Sequence, residues 1–79
     1  MKIIKEIQDI EIKPIVWKLL GEIEMLISIS GSEEALRDMM DVYVKHHPQF
    51  EKHLIYRFGR NHMWICLEGT WERILFVEF

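Results

Sequence analysis

The sequence predicts a single α+β domain over residues 1–79, in which one main helix packs on an antiparallel sheet with a C-terminal three-stranded meander. Three observations lead to this prediction. An amphipathic helical pattern follows Ser32, three short runs rich in β-branched and aromatic residues come after it, and glycine-containing turns separate those runs. A chain of 79 residues suits one domain, and its 49% apolar content suffices for a core.

The N-terminal residues carry a short helical pattern. Isoleucines at positions 3, 4, 7 and 10 are spaced as on one side of a helix, and the charged residues between them fall off that side. Pro14 then interrupts the chain. We therefore expect residues 1–13 to form a short helix or an N-terminal arm.

The stretch from Ile15 to Ser30 fits either a helix or a strand. Its larger apolar residues lie on one arc of a helix, for which Pro14 would suit the first position. Residues 23–30 also alternate between apolar and polar side chains and are rich in isoleucine, which favours a strand. We expect a strand over Glu22–Ile29, paired through Gly21 with Ile15–Leu20.

The main helix has the clearest local signals. Ser32 is a suitable N-cap because its hydroxyl can accept from a backbone amide of the first turn. The acidic pair Glu33 and Glu34 follows, where carboxylates favour the positive end of the helix dipole. Because Pro48 disfavours helical geometry in the residue before it, the helix is expected to end near His47.

The meander is predicted from three runs of residues: Leu54–Phe58, His62–Glu68 and Trp71–Phe79. Alternation along the middle run places Met63, Ile65 and Leu67 on one face and Trp64 and Cys66 on the other. In the last run Ile74 and Phe76 are expected to oppose Trp71, Leu75 and Val77. One face can pack on the helix, and the other requires a cover, such as a partner or a second copy.

Charge is unevenly distributed along the chain. Residues 42–67 contain four Lys/Arg and one acid, a net charge of +3, whereas the remainder carries six Lys/Arg and twelve Asp/Glu, a net charge of −6. The same basic window holds all four histidines, the only cysteine and five of the nine aromatic residues. This asymmetry predicts binding to an anion or to an acidic partner.

The sequence therefore favours a small non-catalytic protein that inhibits or regulates a larger protein or nucleoprotein assembly. Phage anti-defence proteins and immunity proteins belong to the same physical class, and the isoleucine-rich, alanine-poor composition fits a phage or mobile element. The predicted partner-binding residues are Tyr56, Arg57, Arg60, His62 and Trp64. A second choice is the acidic set Glu22, Glu24, Asp38 and Asp41.

Two other functions are open. A nucleic-acid-binding protein or small ribonuclease could use Lys52, His53, Arg57 and Arg60, although no nucleophile elbow, phosphate loop or paired-carboxylate motif accompanies them. A self-associating structural protein, with a homodimer as its simplest form, would bury the surplus apolar surface. Of these two alternatives, only the first uses the basic, His-rich window of residues 42–67.

Metal, cofactor and membrane binding are not predicted. His46, His47, His53, His62 and Cys66 have the chemistry of metal ligands, but no CxxC or HxxxH spacing brings them together. The longest apolar-leaning stretch is interrupted by charges, so no membrane span is expected. A single cysteine fits a reducing compartment, and we expect a cytoplasmic protein.

One short segment matches an engineered peptide. Residues His47–Lys52 are identical to the last six residues of Strep-tag II, a streptavidin-binding peptide. Lys45 and His46 stand where that peptide has Trp-Ser. Both chance identity and deliberate grafting fit the match, and we assign no function to it.

Overall fold

The computed structural model describes residues 2–6 and 11–79. Within these ranges, helices pack on a four-stranded antiparallel sheet, and this arrangement confirms the predicted α+β class. The strands lie in the order β1-β4-β3-β2. In chain order the elements are β1 (Lys2–Lys5), α1 (Pro14–Ser30), α2 (Glu33–His46), α3 (Gln49–His53), β2 (Leu54–Gly59), β3 (His62–Leu67) and β4 (Arg73–Glu78).

The predicted meander is confirmed as β2, β3 and β4. Gly59 pairs with His62 across β2 and β3, so the first turn has only two residues, Arg60 and Asn61. Asn61, the second residue of the turn, has a φ of 62°, a left-handed conformation that asparagine tolerates better than most side chains. Gly69 has a φ of 90° in the connection to β4, a conformation that glycine adopts without steric cost.

A bulge in β4 changes the predicted alternation of the last strand. Ile65 pairs with Leu75 and Cys66 pairs with Arg73, which leaves Ile74 as the extra residue. Ile74 and Leu75 are therefore both buried, although they are neighbours in sequence. Trp71 lies before the strand and is exposed.

The predicted strand over Glu22–Ile29 is wrong, because Pro14–Ser30 forms the continuous helix α1. The apolar arc of this helix is buried through Val16, Leu19, Leu20, Ile23 and Ile27. Burial of that arc outweighs the strand preference of isoleucine, whose intrinsic effect is weak against packing. Met25 and Ile29, which supported the alternation, are 67% and 65% exposed.

The sequence predicts a short helix or an N-terminal arm over residues 1–13, and the part of this segment that the structure describes contains no helix. Lys2–Lys5 forms β1, which pairs antiparallel with β4. This pairing satisfies backbone groups along an otherwise free edge of the meander. Ile7 and Ile10, which contributed to the helical pattern, lie outside the described residues.

The predicted main helix is confirmed as α2, but a second long helix, α1, accompanies it. Ser32 caps α2 by accepting from the amide of Ala35 at 3.1 Å. The two helices are joined by Gly31, whose φ of 74° ends α1 in the left-handed conformation. This short connection makes α1 and α2 antiparallel neighbours.

The hydrophobic core lies between the two long helices and one face of the sheet. Its fully buried members include Ile23 of α1, Leu36 and Met40 of α2, and Met63 and Ile65 of β3. Among the described residues, no helix is long and apolar enough to span a bilayer.

The segment that matches Strep-tag II is folded into the domain. Phe50 is 1% exposed on α3, and its ring makes edge contacts with Tyr43 and Tyr56 at centroid distances of 6.1 and 5.7 Å. Its side chain is therefore part of the core and not available to an external ligand.

Candidate binding face of the sheet

The sheet has a face opposite to the one that packs on the helices, and we call it the open face. Cross-strand pairing assigns residues to it, because directly paired residues point to the same side. Ile55, Trp64 and Phe76 lie there and stay partly exposed, outside the core that the helices form. The open face consists of Lys2, Ile4, Ile55, Arg57, His62, Trp64, Cys66, Arg73, Phe76 and Glu78.

Side chains on the open face hold one another in place. The His62 ring stacks on Phe76 at a centroid distance of 5.4 Å, and its Nδ1 donates to the carbonyl of Arg60 at 2.9 Å. The guanidinium carbon of Arg73 lies 4.8 Å from the centre of the Phe76 ring. Arg73 also pairs with Glu6 at 2.9 Å. The His62 and Phe76 rings are therefore held by contacts within the protein itself.

The His62 ring also depends on Gly59, its cross-strand partner. A Cβ atom at position 59 would collide with the imidazole ring. Glycine at this position of β2 therefore leaves the space that the ring occupies. The same pairing sets His62 beside the turn that carries Arg60.

Four of the five predicted partner-binding residues lie on the open face or in the turn that joins β2 to β3. Arg57 and Trp64 are direct cross-strand partners, and His62 lies two residues along β3 from Trp64. Arg60 lies in the turn beyond them. Only Tyr56 is placed elsewhere.

Tyr56 points to the helix side of the sheet. Its ring makes edge contacts with Phe50 and Phe58 at 5.7 and 6.0 Å, so it packs against the core. Alternation along a strand places the neighbours Tyr56 and Arg57 on opposite faces of the sheet. The sequence alone could therefore have excluded Tyr56 from the predicted set. Burial raises the pKa of Tyr56 above its usual value, with a smaller contribution from the charge of Asp41.

Sequence reasoning missed Phe76 and Arg73, which lie outside the basic window. Phe76 pairs directly with Trp64 and Ile4. Alternation in the last strand, combined with the predicted meander, could have placed Phe76 beside Trp64. No local signal could have placed Ile4 there, because β1 reaches the sheet from the other end of the chain.

Lys52 and His53, the other residues of the predicted nucleic-acid site, do not join the arginines. They lie in α3, before β2, whereas Arg60 follows β2. The six-residue strand between them spans roughly 20 Å at the usual rise per residue. The four side chains therefore do not converge on one phosphate.

The histidines at the end of α2 cap the helix. Nδ1 of His46 donates to the carbonyl of Val42, and Nδ1 of His47 donates to the carbonyl of Tyr43, each at 2.8 Å. The bond from His47 satisfies one of the last four carbonyls of α2, which have no partner within the helix. Across the described ranges, no group of three or more His, Cys, Asp or Glu side chains is arranged to hold a metal ion.

Cys66 is buried beneath the open face and is 5% exposed. Burial raises the pKa of its thiol above the usual value, and the charge of Arg73 opposes this effect only in part. The thiol therefore stays protonated near neutral pH, which suits a packing role and not a nucleophile.

Three members of the acidic set have partners. Glu22 accepts from the Tyr43 hydroxyl at 2.6 Å, Glu24 pairs with Lys5 at 3.0 Å, and Asp41 pairs with Lys45 at 3.1 Å. Asp38 makes no ion pair with any residue in the described part of the chain.

Comparison of the chain with protein-family models, with curated proteins and with solved structures finds no match.

Proposed function

We propose that this protein is a small non-catalytic binding protein that inhibits or regulates a larger protein or nucleoprotein assembly through the open face. The observation that carries the proposal is the row of partly exposed apolar side chains, Ile55, Trp64 and Phe76, on the side of the sheet away from the helices. Ordered apolar surface of this kind is typical of interaction sites.

The charges around this row favour an acidic protein partner. Arg57 and Arg60 are exposed and belong to none of the ion pairs among the described residues, whereas Arg73 is neutralised by Glu6. Unpaired arginines at the rim would steer an acidic surface towards the apolar row and fix its orientation. Trp64 and Arg57 have the side-chain types that most often dominate binding energy.

The open face is also pre-organised. His62 stacks on Phe76 and is held by the Arg60 carbonyl, so these groups lose little freedom when a partner binds. Such pre-organisation lowers the entropic cost of association. We place the protein in the cytoplasm, since its single buried thiol suits a reducing compartment. Phage anti-defence and immunity proteins are its functional analogues in this proposal.

The test compares what is captured from a nuclease-free lysate of the source organism by the wild-type protein and by three variants. Trp64→Ala and Arg57→Ala alter the open face, and Trp71→Ala removes an equally large exposed ring outside the strands. We expect one dominant protein species with the wild-type protein and with Trp71→Ala. Trp64→Ala should weaken its binding by about 2 kcal/mol or more.

Two results would overturn the proposal. One is a captured protein that binds Trp64→Ala and Arg57→Ala as tightly as the wild-type chain, which would place the contact elsewhere. The other is bound nucleic acid without a stoichiometric protein.

Nucleic-acid binding is the second candidate, and the direct pairing of Arg57 with Trp64 favours it. A partly exposed aromatic ring beside a cation on a sheet can stack a base while the cation holds its phosphate. In that case the logarithm of the affinity for a single-stranded oligonucleotide should fall linearly with the logarithm of salt concentration. Arg57→Ala should then reduce the magnitude of this slope by about one unit, as expected for the loss of one phosphate contact.

A further inference from the structure

The outer surface of the two long helices carries a second exposed apolar area. Met25, Ile29 and Val42 are 67%, 65% and 55% exposed. Two adjoining grooves, with volumes of about 420 and 510 Å³, run along this surface and share Leu26, Tyr43 and His47 in their walls. We call this area the helix-pair surface and define it by Lys18, Met25, Ile29, Asp38, Val42 and His46.

Two of the charged residues that line the grooves, Lys18 and Asp38, lie well apart along the helix-pair surface, and a third, Glu22, accepts a hydrogen bond from Tyr43. Because α1 and α2 are antiparallel, the start of α1, with Lys18, lies beside the end of α2, with His46. Asp38 lies eight residues before His46, about 12 Å along the helix at 1.5 Å per residue. The described residues offer no ion-pair partner to Lys18 or to Asp38.

We propose that the helix-pair surface is the contact between two copies of this chain related by a two-fold axis. In such a contact each residue meets the surface of its own twin in the reverse direction. Lys18 of each copy would lie against Asp38 of the other, so that this charge pair forms twice. The exposed apolar side chains Met25 and Val42, which lie between Lys18 and Asp38, would pack around the axis, and Ile29, near the end of α1, would lie further from it.

The order of the groups favours a second copy over an unrelated partner. A lysine and an aspartate on either side of the apolar side chains Met25 and Val42 are complementary to themselves when reversed. A chain of 79 residues also has a marginal core, and dimerisation is a common way for domains of this size to bury more apolar surface. The proposal does not depend on the proposed function, because the open face lies on the other side of the sheet and stays free.

The first test is the mass of the protein in solution. Sedimentation velocity over a wide range of protein concentration should show a species of twice the 9.6 kDa protomer mass. Val42→Glu should shift the protein to monomer at the same concentrations, because it introduces two charges into the apolar centre. A protein that stays monomeric throughout, or a dimer that Val42→Glu leaves intact, would overturn the proposal.

Charge reversal tests whether Lys18 of one copy lies against Asp38 of the other. Lys18→Glu and Asp38→Lys should each weaken dimerisation by about tenfold or more, since each creates two like-charge contacts. The double variant restores both attractions with reversed sign and should dimerise nearly as well as the wild-type chain. Lys52→Glu, an exposed change of the same kind on α3, is the matched control and should have no effect.

Circular dichroism shows whether each variant is folded. Every substituted side chain is exposed, so the helical signal should not change. A folded double variant that stays as weak as the single variants would contradict the two-fold arrangement.

Discussion

The hydroxyl of Tyr43 donates a hydrogen bond of 2.6 Å to Oε1 of Glu22 and so joins α2 to α1. The same ring stacks on His47 at a centroid distance of 4.0 Å. This polar link lies at the margin of the core, where the last turn of α2 meets the middle of α1. It therefore contributes to the packing of the two helices on each other.

Tyr43→Phe removes this hydrogen bond and keeps the ring. We expect the free energy of unfolding to fall by about 1–2 kcal/mol, because the acceptor is a carboxylate that is partly shielded from water. Urea denaturation measures the change. Tyr56→Phe is the matched control, since the hydroxyl of Tyr56 makes no hydrogen bond to another described residue, and its midpoint should hardly move.

The same link predicts a loss of stability in alkaline solution. Burial raises the pKa of Tyr43, and the hydrogen bond and the charge of Glu22 raise it further. In the unfolded chain this tyrosine ionises near its usual value of about 10, whereas in the folded state it stays protonated. The stabilisation is thus complete below pH 10 and is lost as the pH rises towards the folded pKa.

Urea unfolding at increasing pH tests this expectation. The wild-type free energy of unfolding should decline more steeply above about pH 10 than that of Tyr43→Phe, which lacks the ionisable group. Lysines titrate in the same pH range and also affect the free energy of unfolding. Both proteins contain the same lysines, so the difference between their curves reports the ionisation of Tyr43. Parallel curves for the two proteins would show that the Tyr43 pKa is not raised.

Gly59→Ala should displace the His62 ring from Phe76. The added methyl group occupies the space of the imidazole, so either the ring or the strand must move. We expect a loss of about 1–2 kcal/mol in unfolding free energy, as for other overpacked sites, and altered NMR shifts of the His62 ring protons.

The control for this prediction is a double-mutant cycle. In a His62→Ala background the space is empty, so Gly59→Ala should be neutral or slightly stabilising, since alanine loses less backbone entropy than glycine. An equal cost in both backgrounds would mean that the ring does not cover Gly59.

Cys66 should react slowly with thiol reagents in the folded protein. It is 5% exposed and burial raises its pKa, so both access and thiolate formation are limited. Labelling with an aromatic disulfide at pH 8 should be many times slower than in concentrated urea. A folded protein that reacts as fast as the unfolded chain would contradict this burial.

The correct sequence predictions rest on local signals. The cap at Ser32, the break at Pro48 and the turn after Gly59 each follow from the conformational preferences of one or two residues. The meander follows from alternation between such turns, and it brings Arg57 next to Trp64 on the open face.

The wrong predictions concern residues whose structure is decided by distant contacts. In α1, Ile23 and Ile27 satisfy both a period of two and the helical period, and only burial against α2 and the sheet selects the helix. Lys2–Lys5 becomes a strand because β4 offers a free edge more than 65 residues away in sequence. Neither contact can be inferred from the local pattern.

Gly21→Ala distinguishes the observed helix from the hairpin that the sequence favoured. In α1 a Cβ at Gly21 meets no atom within 4 Å, and the residue is exposed in the helix interior. Alanine should therefore raise the free energy of unfolding by about 0.5–1 kcal/mol. In a hairpin turned at Gly21, the same substitution would destabilise a turn that glycine permits.

Gly31→Ala is the matched control for this last prediction. Gly31 also has open space around it, but its φ of 74° is a conformation that costs alanine about 1 kcal/mol or more. A helix that runs through Gly21 and ends at Gly31 predicts that the two substitutions change the free energy of unfolding in opposite directions, which urea denaturation measures. A loss of stability for both would instead indicate a turn at Gly21.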